Sequence, residues 1–346
     1  MTNRSEWIQT TKSIILSFII YSLFLLITGS NPIEVFKYMY LGAFGSIFSI
    51  QNTILMAIPI ILVTFCTALP AKFGMVVIGG EGALVLGGLA AATAGNLLTN
   101  LPPLLAISLM LLSAFIVGGL WISLVAVLKI KNKANETIVS LLLTYIAIAL
   151  FNHLVEGPLR DPASLNKPST FPLPKDFMLK TIFDSELHYG LIIALFFIVF
   201  TYILFDKSVF GFKIKVLGGN EKAARLVGLP INSLILITFF LAGGIAALAG
   251  AVDVMAIHGS ANSSLIAGYG FTGVLVSFLA RHESLNILPF SILMGAFISS
   301  NGIVQRNCEL PDASLLIFQG IILMCIIGKN IYSNLSFSKL LKPIKS

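Results

Sequence analysis

Ten stretches of this chain are apolar over lengths close to what a helix needs to cross a bilayer. That pattern decides most of what the polypeptide can become. A helix requires about 20 apolar residues to traverse the hydrocarbon layer. Runs of this kind fall near 13–29, 53–70, 75–95, 104–128, 137–155, 188–206, 232–252, 268–280, 285–304 and 312–328. Lipid offers a peptide group no hydrogen bond, so the backbone of such runs must satisfy itself within helices. The expected fold is therefore all-α: one polytopic membrane domain over 1–346 with about ten transmembrane helices. Two runs are irregular: 268–280 is short, and the Gly-rich 75–95 is a candidate for a broken or re-entrant helix. The moderately apolar 32–50, with Glu34 and Lys37 near its start, reads either as an interfacial helix or as an eleventh element.

Only 11% of the residues are charged, where a soluble domain carries about 25%. The net charge of +7 is accordingly read as a record of topology rather than of nucleic-acid binding. With the N-terminus placed inside and the spans alternating, Lys37, Arg160, Lys167, Lys175, Lys180 and Arg306 lie outside. The other sixteen of the 22 Lys and Arg lie inside, among them Lys72, Lys129, Lys215, Arg225, Lys329, Lys339, Lys342 and Lys345. Both termini are expected in the cytoplasm. Arg4 and Lys12 ahead of 13–28 imitate a secretory signal, but no small-x-small cleavage site follows, so the segment reads as an uncleaved first helix.

Two long loops result. The outer one, 156–188, carries Pro158, Pro162, Pro168, Pro172 and Pro174, which stiffen it; it reads as a landing surface for an external protein or as a plain linker. The inner one, 206–230, contains the polar stretch LGGNEKAARLVGLP at 217–230. There Asn220 suits a helix N-cap, Glu221 the first turn, and Glu221 and Arg225 pair four residues apart. Ala223 and Ala224 favour helix, and Gly228 followed by Pro230 stops it. A short capped helix between two spans reads as a docking knob for a soluble partner or as an ordinary solvated loop helix.

Within the spans, Gly79, Gly80, Glu81 and Gly82, continuing to Gly87 and Gly88, stand out. Glycine permits close helix packing or a broken helix, and Glu81 is costly in a membrane unless paired or wet. The stretch is read either as part of a translocation path or as a packing motif. Asn135 and Glu136 look like the cap and first turn of the fifth span, with Thr144 further along the same helix. The small-residue run 242–251 reads as tight helix packing. Asp253 and His258 follow near the expected outer face, and Tyr269 opens the eighth span as an interfacial anchor or a stacking surface.

Catalytic chemistry finds little support. There is no GxxxxGK[ST] phosphate loop, the four His are scattered, and Cys66, Cys308 and Cys325 have no metal-ligand spacing. No catalytic residue, metal or cofactor is expected on this chain. An ion-coupled secondary transporter, with Glu81 and Asp253 holding the ion, is the rival from a different class.

Four stretches together resemble a family. They are 74–82 (GMVVIGGEG), the segment from Asn135-Glu136-Thr137-Ile138 to Tyr145, 211–228 (GFKIKVLGGNEKAARLVG), and 268–273 (GYGFTG). In order and spacing they are similar to segments of bacterial inner-membrane permeases of ABC importers of the branched-chain amino acid/ribose type. Within that group they look most like permeases for nucleosides served by basic-membrane-protein lipoproteins. Val77, Ala83 and Thr144 stand where such permeases commonly carry Asn or Gln, which keeps the sugar and amino-acid branches open. The resemblance implies that Asn220, Glu221, Ala224, Arg225 and Gly228 form a coupling helix seated on an ATPase. It implies a second permease subunit, an ATPase that binds the ATP, an external binding lipoprotein, and a path for a small polar solute. That path would run near Gly80, Glu81, Gly82, Asn135, Glu136, Thr144 and Tyr269, in a bacterial cytoplasmic membrane.

Overall fold

A computed structural model describes residues 3–182, 185–311 and 313–328, with the side chains of 3–8 excepted. The expected cytoplasmic lysines from Lys329 onward lie outside those residues. Among the described residues every regular element is helical, and the sole sheet-like pairs are two isolated bridges. The helices are α1 (Asn3–Ile27), α2 (Pro32–Phe44), α3 (Ile47–Ala71), α4 (Gly80–Leu97), α5 (Pro103–Asn132), α6 (Glu136–Glu156) and α7 (Gly190–Tyr202). They continue as α8 (Val209–Gly219), α9 (Glu221–Leu226), α10 (Ile231–Asp253), α11 (Tyr269–Leu279), α12 (Ile287–Cys308) and α13 (Ala313–Ile327).

Each of the ten apolar runs overlaps one of these helices. Among the described residues seven segments are long and apolar enough to cross a membrane: Gln9–Ile27, Ile47–Ala71, Pro103–Asn132, Glu136–Glu156, Gly190–Lys207, Ile231–His258 and Ile287–Cys308. Helices α4, α11 and α13, of 18, 11 and 15 residues, stand outside that set. The segment 32–50 resolves into α2, whose 13 residues rise about 20 Å, less than a crossing requires. The run at 75–95 is broken at its start: 75–79 is non-helical, and α4 begins only at Gly80. The loop 206–230 is more ordered than its polarity suggests, because 209–219 forms a helix of its own ahead of the capped one.

The chain divides into two compact units, 1–49 with 296–346, and 50–295. In the first, α1 packs on α13. Tyr21 stacks on Phe318 with ring centroids 4.3 Å apart, and Phe18 meets the same ring edge-on at 5.1 Å. Gly42 of α2 lies against the Ser300 backbone, where a Cβ would come within 2.8 Å of the Ser300 Cα.

In the second unit α10 packs against both α4 and α5, which also touch each other. Small residues allow this. A Cβ on Gly88 would lie 3.0 Å from the Gly250 carbonyl oxygen, and one on Gly243 2.6 Å from the Ile122 Cβ. The 242–251 run thus packs backbone to backbone, which is how helices associate where no hydrophobic effect drives them together. In the apolar stretches of α3 and α10, 78% of residues are buried, against 28% in those of α6 and α7. The outward faces of α5, α6 and α7 expose Leu112, Leu120, Leu142, Phe196 and Val199, as a surface solvated by lipid would.

The proline-rich loop after α6 is held down along its length. Thr170 and Leu173 donate backbone hydrogen bonds to Ala261 and Gly259 at 3.0 and 2.7 Å. Leu179 donates to Met255 at 2.8 Å, and Asn96 reaches the Phe171 carbonyl at 3.0 Å. At its end His188 bridges to Thr181 and accepts a hydrogen bond on Nδ1 from the Gly190 N–H at 3.1 Å. Burial makes protonation unfavourable and pulls the His188 imidazole down to about 4.

Candidate functional site

Two helix beginnings meet inside the second unit, and Glu81 joins them. Glu81 stands in the first turn of α4, where the free N–H groups favour negative charge. Its carboxylate reaches across to α11 and accepts the backbone N–H of Gly268 at 2.7 Å and of Gly270 at 2.5 Å. Those donors are orphans at the start of α11, which has no side-chain cap of its own. A residue of one helix therefore caps another. Glu81 is 2% exposed; a carboxylate that deep needs charge-assisted hydrogen bonds to offset its lost hydration.

Glycine makes the approach possible. A Cβ on Gly80 would lie 3.5 Å from the Gly270 Cα, and one on Gly270 2.7 Å from the Glu81 Cα. Gly268 also takes φ of +79°, a left-handed conformation that most side chains resist. Gly82 faces α6, where a Cβ would meet the Thr144 Cα at 3.0 Å.

Backbone hydrogen bonds hold only the ends of the non-helical 75–79, from the Met75 N–H to the Pro70 carbonyl and from the Ala83 N–H to the Gly79 carbonyl, so side chains bond its middle. The Thr67 hydroxyl donates to the Val77 carbonyl at 2.6 Å and Thr137 to Val76 at 2.8 Å. Ser140 accepts from the Ile78 N–H at 2.9 Å, and Thr144 donates to the Ile78 carbonyl at 3.1 Å. This is the compensation that irregular backbone requires at membrane depth. Sequence reasoning missed Thr67 and Ser140, although hydroxyls recurring in oily helices beside a glycine break were a usable signal.

The structure gathers Gly80, Glu81, Gly82, Thr144 and Tyr269 into this neighbourhood. Tyr269 opens α11 and points its hydroxyl at the Met56 sulfur, 3.6 Å away. Asp253, placed near the outer face by its position in the sequence, is 3% exposed and lies within electrostatic reach of Glu81 and Tyr269. Asn135 and Glu136 are committed elsewhere. Asn135 caps α6, accepting from the Thr137 and Ile138 N–H groups at 3.0 and 3.2 Å. Glu136 pairs with Lys129 at 2.7 Å. Among the described residues, no group of three or more His, Cys, Asp or Glu is arranged to hold a metal ion.

The second candidate element is the hairpin of α8 and α9. Asn220 caps α9, accepting the Ala223 N–H at 3.1 Å. Arg225 bonds Glu221 one turn back at 2.6 Å. Ala224 is fully buried beneath the helix, and Gly228 ends it at φ +75°. The surface beyond is apolar and open, with Leu226 89% and Val227 70% exposed. An exposed apolar tip on a rigid, capped, charged helix is the composition of a protein contact.

Known proteins align with the chain over most of its length. It is 29% identical over 313 residues to a glucose ABC transporter permease of Haloferax volcanii, covering 87% of this chain and 82% of that one. A guanosine ABC transporter permease of Bacillus subtilis is 28% identical over 295 residues, 82% of each chain. A nucleoside ABC transporter permease of Lactococcus lactis is 25% identical over 325 residues, 88% of each. The model of one protein family matches residues 49–327, a span holding both the Glu81 junction and the α8–α9 hairpin. The chain belongs to that family, the permease components of branched-chain amino acid transport systems.

Proposed function

We propose that the protein is the transmembrane permease subunit of an ABC importer in a bacterial cytoplasmic membrane, carrying a nucleoside or related small polar solute inward. The observation that carries this reading is the α8–α9 hairpin: capped, partly apolar at its exposed tip, and packed through Gly218 on the Lys72–Phe73 peptide. A separate ATPase docks there, on the outward side of the helix with Asn220, Glu221, Arg225 and Gly228, while buried Ala224 seats the helix on the body. Ten crossings with the N-terminus inside place the hairpin in the cytoplasm and 156–188 outside, where the bonded loop receives an external binding lipoprotein. A second permease subunit completes the pore. ATP stays with the ATPase.

In this reading the solute passes beside the Glu81 junction. Glu81, Asp253 and Tyr269 supply the polar groups there, two carboxyls and a phenol. The nucleoside assignment follows the guanosine and nucleoside relatives. The glucose relative favours a sugar as the second reading.

Reconstitution tests the proposal. Vesicles holding the chain, its sister permease and the ATPase are loaded with ATP, supplied with the binding protein, and offered labelled guanosine and, separately, labelled glucose. ATP-dependent uptake of guanosine is expected, and Arg225→Glu abolishes it while the protein still inserts. Gradient-driven uptake by this chain alone would replace the proposal with an ion-coupled transporter.

A further inference from the structure

A charge cluster lies between the hairpin and the Glu81 junction, and neither of them accounts for it. Lys72, just past the end of α3, extends its ammonium to Asp206, with Nζ 3.2 Å from Oδ1 and 3.4 Å from Oδ2. Asp206 stands in the helical turn Ile203–Lys207, which prolongs α7 and leads through Ser208, the N-cap of α8. Lys215 of α8 reaches the same Oδ1 at 3.4 Å. The Lys72 and Asp206 side chains are only 9% and 13% exposed, whereas Lys215 is 57% exposed. Solvent screens the outer pair; in the inner one, removing Asp206 strands the buried Lys72 ammonium.

The contact continues in the backbone. Gly218, near the end of α8, is pressed on the Lys72–Phe73 peptide: a Cβ there would come 2.6 Å from the Lys72 carbonyl oxygen and 2.8 Å from the Phe73 Cα. Lys72 is followed at once by the turn at Gly74, φ +83°, and then by 75–79, which leads into Gly80 and Glu81. Six residues thus separate a lysine clamped to the hairpin from the non-helical segment's last member, Gly79, and the segment is bonded by side chains rather than by a helix. Bonds of that kind rearrange one at a time, where a helix shifts as a unit.

We propose that Lys72 and Asp206 are positioning residues that form the joint of the transporter: displacement of the α8–α9 hairpin moves Lys72, which draws on 75–79 and so on the Glu81–Gly270 contact. This rests on the reading of α9 as the ATPase dock. The joint is an ion pair because the two elements must move together without sharing a helix, and Gly218 keeps their backbones close enough for it.

The test needs no knowledge of the solute, because Cys66 is a built-in reporter. It is fully buried in α3, and its Cβ lies 3.5 Å from where a Gly80 Cβ would stand. In the assembled complex, with Cys308 and Cys325 changed to Ser, the rate of Cys66 modification by a small maleimide is compared before and after trapping the ATPase with ATP and vanadate. In the parent, trapping changes the rate by about fivefold or more. Asp206→Asn and Lys72→Gln each remove that dependence, the double variant does no more than either single one, and ATPase still co-purifies. Asp206→Glu, which keeps the charge, retains it, and so does the exposed Lys215→Gln. A purely structural role would lower the yield of complex without changing this ratio.

A parent without ATP dependence, neutral variants that keep it, or single losses that add independently overturn the joint. An Arg225→Glu complex that holds its ATPase and imports normally removes the docking reading instead.

Discussion

Glu81 and Gly270 are joined by a hydrogen bond of 2.5 Å from the glycine N–H to the carboxylate, and by van der Waals contact of their backbones. The start of α11 is held by a side chain of α4, and the two helix beginnings form a single structural unit. A polar group in the interior of a membrane protein is expensive, and here the cost is met by N–H groups that had no other partner.

Replacing Glu81 therefore tests both helices. Glu81→Ala leaves two buried donors unpaired and lowers stability by about 1–3 kcal/mol. Glu81→Gln keeps one acceptor and loses less. Thermal unfolding of the purified protein in detergent gives the ordering wild type, Gln, Ala; equal stabilities would show that the contact does not hold α11.

The side chains that bond 75–79 make a separate prediction. Thr67→Val and Ser140→Ala each remove one partner of a buried peptide group, at about 1–2 kcal/mol. Hydrogen exchange should speed up in 75–79 and at the α11 start, and little in α5. Exchange unchanged in 75–79 would count against side-chain support of the break.

Close packing of α10 leaves no room at its glycines. Gly243→Val drives two methyl groups toward Ile122, whose Cβ is already 2.6 Å from the Cβ position. Overpacking of this kind costs about 1–3 kcal/mol or more. The variant should accumulate poorly in membranes, and Ile122→Ala should not rescue it, because the alanine Cβ and the Gly118 backbone carbonyl still occupy the space.

The loop before α7 should respond to acid. His188 has its folded value lowered to about 4 from an ordinary 6.5. Between those values the unfolded imidazole binds more protons than the folded one, so the loop's stability rises with pH across that window. It is whole above about 6.5 and lost progressively as pH falls toward 4. Protease cleavage within 156–188 should therefore accelerate on acidification. His188→Gln should flatten that profile.

Much of this architecture was legible without coordinates. Apolar runs locate helices because lipid forces the backbone to bond locally, and the period of burial does not have to be known. The cap at Asn220, the Glu221–Arg225 pair and the stop at Gly228 were equally readable, since each depends on residues within four positions of one another. The 242–251 run announced close packing by its size alone. Such features are determined by the sequence itself, through local geometry and solvation.

Other features depend on where distant segments come to rest. Nothing in the order of residues says that Glu81 caps α11, 187 positions away, or that Lys72 finds Asp206 across 134. Thr67 and Ser140 read as neutral members of apolar helices until α3 and α6 bring them to 75–79, and Thr144, read as a path residue, proves to bond the same segment. Asp253 looked peripheral and is buried beside Glu81 because α10 is packed against α4. Hydrogen bonds and ion pairs extend only about 3 Å, so long-range partners are chosen by helix packing, and only the tertiary structure decides them.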